Sequence, residues 1–387
     1  MKKIVIVISI LSMALGLSAF DCSSAELTGA KMYIAQKHYD KAKESLVKEV
    51  SKNPLNDEAW YYLGYIYGEE DSTNAMKNAF DKSLSVSKKY EKDIDQYEKY
   101  MWQTSFNKGV TAFNQAVKAT KQDSMKIEFE KAAEYFKTSM VCQPDSIIGY
   151  ENLVSVYMNL GKHEDALPVL EKLINMKGAP ASSYAELGQI LNFKGAQLFD
   201  TYRTSKVVSD STGAMDNFSK AIDVLKKGES VYPTDSDILM QLGNAYYSRG
   251  ELDFALARFK ELVEKNPNNK DFHYAYGVVL MKGKDYPAAT EQLEKAVTMD
   301  EKNTDAIYNL AAAYINWGNM LRDEAVKKES DDKSYQEKFK LAAPYLEKYL
   351  SIKPEDSRVW FSLGQVYANM GEKDKAEAAF KKAEQYK

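Results

Sequence analysis

SDILMQLGNAYYSRGELDFALARFKELVEKNPNN, Ser236 to Asn269, is followed at once by KDFHYAYGVVLMKGKDYPAATEQLEKAVTMDEKN, Lys270 to Asn303, and the two stretches align without a gap. In the first, Leu239, Leu242, Gly243, Tyr246, Ala255 and Phe259 follow helical spacing, with Gly250 breaking the run in the middle and Pro267 ending it. In the second, Tyr276, Gly277, Leu280, Ala289, Leu293 and Ala296 fall at the matching offsets. Apolar residues three and four apart make one face of a helix, and a glycine or proline between two such runs marks where a helix stops. Each stretch therefore reads as two helices joined by a turn, a unit that must stack on its neighbours to bury its apolar face.

The register continues in both directions. From Asp57 it runs Trp60, Leu63, Gly64, Tyr67 and Phe80; from Ser357 it runs Trp360, Leu363, Gly364, Tyr367, Gly371, Ala376, Phe380 and Ala383. Five of the nine prolines (Pro54, Pro144, Pro233, Pro267 and Pro354) stand two residues before the end of a unit, where a helix has to stop. The pattern resembles the tetratricopeptide repeat, a helix-turn-helix of 34 residues with large side chains at positions 4, 7, 11 and 24 and small ones at 8, 20 and 27. The resemblance implies an all-α fold, a right-handed superhelical solenoid of about nine units, starting near residues 23, 57, 95, 147, 181, 236, 270, 304 and 357 and ending at 387. The small residues at 8 and 20 would let the two helices of a unit approach closely. The ninth unit is expected to end inside its second helix, which would leave a packing face for a partner or a second copy of the chain.

The third, fifth and eighth units carry about eighteen to twenty-one residues too many. The surplus is expected between a glycine at position 15 (Gly109, Gly195, Gly318) and the small residue at position 20 (Ala132, Ala221, Ala342). Val110, Phe113 and Val117, or Leu198, Phe199 and Tyr202, keep helical spacing through it. Polar turns are expected at Lys121 to Ser124, Ser209 to Gly213 and Ser330 to Lys333. Both helices of these units should be lengthened, with tips rising about 15 Å beyond the body for ten residues added per helix. The three tips would make a rim on the turn edge, or be tolerated insertions. Pro344 should kink the second helix of the eighth unit.

In the family, positions 2, 5, 9, 12 and 13 of the first helix face a concave groove. Position 5 holds Tyr61, Met240, Tyr274, Tyr308 and Phe361, as well as Leu27, Lys99, Glu151 and Ala185. Position 9 adds Tyr65, Asn244, Gln365 and Gln189, position 12 adds Tyr247, and Asn309 lies beside Tyr308. Rings offer contact area at low entropic cost and amides bind a peptide backbone, so this surface suits a protein or peptide partner, unless the tyrosines simply pack on the neighbouring first helix. The family's clamp for a chaperone C-terminal carboxylate is not reproduced: Asn309 and Arg358 fit it, but Tyr274, Val278 and Ser362 occupy the other places.

Composition narrows the function classes. The 387 residues are 44% hydrophobic and 28% charged, with a net charge of −4. Arginine occurs only at 203, 249, 258, 322 and 358, which argues against nucleic acid. No phosphate loop, zinc-protease or nucleophile-elbow motif is present, so no enzyme, cofactor or metal is expected. His38 and His163 fall in turns, and His273 takes the usually aromatic position 4. Residues 1–22 read as a signal peptide: Lys2 and Lys3 precede an apolar run from Ile4 to Leu17, with cleavage expected between residues 19 and 25. An uncleaved anchor and a lipoprotein modified at Cys22 remain the alternatives, and only those two would bring the chain to a membrane. The expectation is an exported bacterial scaffold, in the periplasm or on the periplasmic face of the outer membrane.

Overall fold

The computed structural model describes residues 24–387, so the expected signal segment and Cys22 lie outside the described residues. Among the described residues the chain is α-helix and turn, and the fold is a helical repeat solenoid. It divides into two compact units. The first, through Leu160, holds α1 (Ala25–Ala35) and α2 (Tyr39–Lys52), α3 (Asp57–Glu69) and α4 (Thr73–Val86), α5 (Glu91–Lys118) and α6 (Gln122–Cys142), and α7 (Ile147–Asn159). The second, from Gly161, holds α8 (His163–Leu173), the hairpins α9 (Ala181–Ser205) with α10 (Val208–Val231) and α11 (Ser236–Arg249) with α12 (Leu252–Lys265), then α13 (Lys270–Lys282) with α14 (Tyr286–Met299). It continues with α15 (Thr304–Lys327) and α16 (Ser334–Ile352), and α17 (Ser357–Met370) and α18 (Lys373–Gln385).

Local chemistry fixes where the first helices begin. Asn56, Asp235, Asn269, Asn303 and Asp356 each accept a hydrogen bond from a backbone N–H in the first turn of the helix that follows. Such a cap satisfies one of the donors that a helix start leaves without a partner. The proline before the cap is held as well. Trp60 and Trp360 donate Nε1–H to the carbonyls of Pro54 and Pro354, at 2.9 and 2.8 Å, and the Tyr150 hydroxyl donates to Pro144 at 3.0 Å. His273 does the same from Nε2 to Pro267, at 2.8 Å, while its Nδ1 lies 2.7 Å from the Gln292 side-chain oxygen. Position 4 is thus a donor to the preceding turn as well as a filler of the core, and a histidine there serves in place of tryptophan.

Close approach within each hairpin is set by a glycine opposite a large side chain. A methyl carbon added to Gly64 would sit 2.4 Å from the Phe80 ring; one added to Gly364 would sit 2.6 Å from Phe380. Phe80, Phe136 and Phe259 are fully buried. The separation between glycine and partner is sixteen residues in the short hairpins: Gly64 to Phe80, Gly243 to Phe259, Gly277 to Leu293 and Gly364 to Phe380.

The long hairpins use this contact in two ways. In α9–α10, Gly188 meets Leu225 and, two turns nearer the tip, Gly195 meets Phe218. Both helices gain about ten residues beyond the body, which at 1.5 Å per residue is about 15 Å, as the sequence implies. In α15–α16 the same upper contact is made by Gly318 and Phe339. In α5–α6, however, Gly109 meets Phe136, the residue that corresponds to Leu225 rather than to Phe218. Part of the third surplus therefore does not lie between Gly109 and Ala132. It lies ahead of Gly109, as three extra turns at the start of α5, where Ile94, Tyr97 and Met101 are buried with Met76, Phe80 and Cys142. The reason is steric: position 8 by simple counting is Trp102, stacked on Phe106 at 5.5 Å, and no indole lets a phenylalanine-bearing helix come as close as Gly109 does.

Two of the expected polar turns lie elsewhere. In α5–α6 the turn is Ala119-Thr120-Lys121, and Gln122 to Ser124 already belong to α6; in α9–α10 the stretch Ser209 to Gly213 is helical and belongs to the first turns of α10, the turn being Lys206-Val207, with Lys206 left-handed at φ 59°. Pro344 lies inside α16, which runs unbroken from Ser334 to Ile352 with the proline on its exposed side.

Candidate protein-binding surface

The residues expected to face a partner fall into two groups with different surroundings. In the first unit, Tyr61 stacks on Tyr90 with ring centres 4.4 Å apart and planes 8° from parallel. Burial, then the Asp93 carboxylate, push its phenol up to about 12. Tyr65 lies 5.3 Å from Tyr97 and 6.4 Å from Tyr39, and burial raises its phenol too. These two rings are half-buried and serve the packing of α5 on α3. Their partners, Tyr90 just ahead of α5 and Tyr97 in its second turn, belong to the stretch that simple counting misplaced, which is why the sequence did not reveal them.

In the second unit the same positions are more open. Tyr308 is 39% and Phe361 51% exposed, and Gln365 is exposed as well. Each ring leans on its own repeat's second helix, Tyr308 on Tyr349 at 5.8 Å and Phe361 on Phe380 at 5.4 Å, with one side left to solvent. Met240, Asn244 and Tyr247 are half-buried along α11. Tyr274 and Asn309 are brought together: the Asn309 amide donates to the Tyr274 hydroxyl at 3.1 Å and to the Asp305 carbonyl at 2.9 Å. Burial, then the Asp305 carboxylate, raise the Tyr274 phenol. Position 2, not read along the chain from sequence, carries Asp237, Asp271 and Asp305 on the same three first helices, all exposed.

Models of the tetratricopeptide repeat match residues 57–90, 149–180, 240–306 and 335–386. The chain carries tetratricopeptide repeats. Among curated proteins it is similar to Hsp70-Hsp90 organizing protein 1 of Glycine max, 26% identical over 253 residues, covering 65% of this chain and 37% of that one. It is also similar to the BBSome complex member BBS4 homolog of Drosophila melanogaster, 20% identical, covering 70% of this chain and 49% of the relative. A third, the protein O-mannosyl-transferase TMTC1 of Homo sapiens, is 24% identical, with 44% and 21% covered. The tetratricopeptide chain thus spans less than half the length of each of these relatives. Among solved structures, a crystal structure of MamA protein aligns over 51% of this chain and 91% of its own, with 25% identity and a TM-score of 0.38.

Proposed function

We propose that the chain is a non-enzymatic protein–protein interaction scaffold, exported to a bacterial cell envelope, that holds a polypeptide on the faces of its first helices, at its lengthened hairpins, or at both. The observation that carries this is the exposure of Tyr308, Phe361 and Gln365 at positions 5 and 9 of successive units. Exposed rings beside amides give a partner apolar area and backbone hydrogen bonds, the combination that peptide grooves use. The tetratricopeptide models and the organizing-protein relatives support the interaction role. The envelope assignment rests on Lys2, Lys3 and the apolar run to Leu17; the second reading, an outer-membrane lipoprotein, rests on Cys22.

A photoreactive phenylalanine analogue placed at Phe361, Tyr308 or Val208 tests the surface in whole cells. Adducts at 361 and 308 are expected. Adducts at 208 alone would move the site to the hairpin tip, and adducts at none would sink the reading. Palmitate labelling lost in Cys22→Ala would decide for the lipoprotein.

A further inference from the structure

Position 2 of the first helix is acidic in four repeats: Glu58 in α3, Asp237 in α11, Asp271 in α13 and Asp305 in α15. In α3 the acid is neutralised from within. The Lys31 ammonium, carried by α1, forms an ion pair with the Glu58 carboxylate and lies 5.6 Å from the centre of the Tyr62 ring. Lys31 is position 9 of the preceding repeat, so a cation at that place reaches the position-2 acid of the next helix. In the second unit the corresponding places ahead of the three aspartates hold Gln189, Asn244 and Val278, none of which carries charge. Among the described residues no ion pair reaches Asp237, Asp271 or Asp305.

An aspartate in the first turn is favoured by the helix dipole, which explains one acid at a helix start. The dipole does not explain why three neighbouring repeats keep the acid of α3 and omit its lysine. Nor does it explain the rings beside them, Tyr274 and Tyr308, one of which lies close enough to Asp305 for the carboxylate to act on its hydroxyl.

We propose that the α11–α13–α15 face binds an extended basic segment of a partner protein, whose lysine or arginine side chains take the place that Lys31 fills beside Glu58. This rests on the reading of the first-helix faces as a polypeptide-binding surface and names the chemistry of what binds there. Along an extended chain, which rises about 3.3 Å per residue, alternate side chains share one face and stand about 7 Å apart. Cations spaced along the segment, rather than adjacent in sequence, would therefore meet Asp237, Asp271 and Asp305 in turn. Their aliphatic stems would lie along the Tyr274 and Tyr308 rings, with the charge over the ring face or on the carboxylate.

The test is fluorescence anisotropy of the full chain with labelled nine-residue synthetic peptides in a serine–leucine background. One carries lysine at residues 2, 5 and 8, one carries three adjacent lysines, one has glutamate in place of each spaced lysine, and one is uncharged. The spaced-lysine peptide should bind best, and more weakly as salt is raised. Asp271→Asn with Asp305→Asn should weaken it at least tenfold with circular dichroism unchanged. Val278→Lys, which places a cation ahead of Asp305 as Lys31 stands ahead of Glu58, should weaken it also. Affinity unchanged within twofold in the asparagine variant, or equal binding of the glutamate peptide, would overturn the proposal. An uncharged peptide that binds as well as the lysine peptide, and is lost in Tyr274→Ala with Tyr308→Ala, would overturn the charge assignment and leave the surface reading standing. Binding by none of the four would overturn the proposal, and the photocrosslinks at 308 and 361 would then decide the surface reading separately.

Discussion

The hairpins α5–α6 and α9–α10 carry surpluses of similar size in sequence and spend them differently. In α9–α10 the body contact is Gly188 on Leu225, and everything added lies beyond it toward the turn. In α5–α6 the body contact is Gly109 on Phe136, separated by twenty-seven residues where Gly188 and Leu225 are separated by thirty-seven. The missing length appears as the first three turns of α5, which bury Ile94, Tyr97 and Met101 rather than project. Two insertions of one size at one counted register are therefore not two copies of one device. What distinguishes them is where a glycine first allows the second helix to close.

Deletions break the comparison most severely. Removing residues 196–216 from α9–α10 leaves Gly188 sixteen residues from Leu225, the short-hairpin separation, and the protein should fold with little change in melting. Removing residues 110–127 from α5–α6 trims all of the counted surplus but sets Phe136 opposite Trp102. The burial of Phe136 would be forfeited, a loss of about 3–5 kcal/mol for a side chain of that size. Removing only residues 117–127, with Ala116→Gly to form the turn, keeps Gly109 on Phe136 and should fold. Equal melting temperatures for the eighteen- and eleven-residue deletions would show that the register of α5–α6 has been misassigned.

A point substitution sharpens the same contrast with a chemical readout. Cys142 ends α6 among Met76, Ile94, Tyr97 and Met101, and burial, then the Glu98 carboxylate, push its thiol up to about 12. In a Cys22→Ala background it should react slowly with a thiol reagent at pH 8, because little thiolate forms there. Phe136→Ala opens a cavity in the same helix pair at a cost of about 3 kcal/mol or more, and labelling should accelerate at least tenfold because α6 opens more readily. Phe218→Ala in α10, in the other unit, should leave the labelling rate unchanged. Acceleration by both would mean that the two units open together.

The smallest effects separate two glycines of one hairpin. A methyl group at Gly195 would lie 2.5 Å from the Phe218 ring and 3.0 Å from the Ala214 carbonyl oxygen, so Gly195→Ala should cost about 1–3 kcal/mol, read by hydrogen exchange in α9 and α10. At Gly213 the nearest atom is the tip of Leu198, at 3.3 Å, and a leucine tip can yield. Gly213→Ala should stabilise by a few tenths of a kcal/mol, since alanine gains about 0.5–1 kcal/mol over glycine in a helix interior. Destabilisation at 213 equal to that at 195 would place the two positions on the same tight seam.

The sequence by itself determined the hairpin unit, its 34-residue period, the prolines that bound it, and which repeats are long. All of these depend on neighbours within a few residues, where spacing and backbone chemistry act directly. It named Tyr308, Phe361 and Gln365 by position, and the structure leaves them open. Only the tertiary structure decided that Tyr61 and Tyr65 are consumed by Tyr90 and Tyr97, and that Gly109 rather than Trp102 receives Phe136. It also decided that Lys31 reaches Glu58 while, among the described residues, no ion pair reaches Asp237, Asp271 or Asp305. The reason is common to all three. Each depends on which side chain from another helix fills the space beside it, and shape and charge settle that choice between residues about thirty positions apart, a distance at which the period of a single helix carries no information.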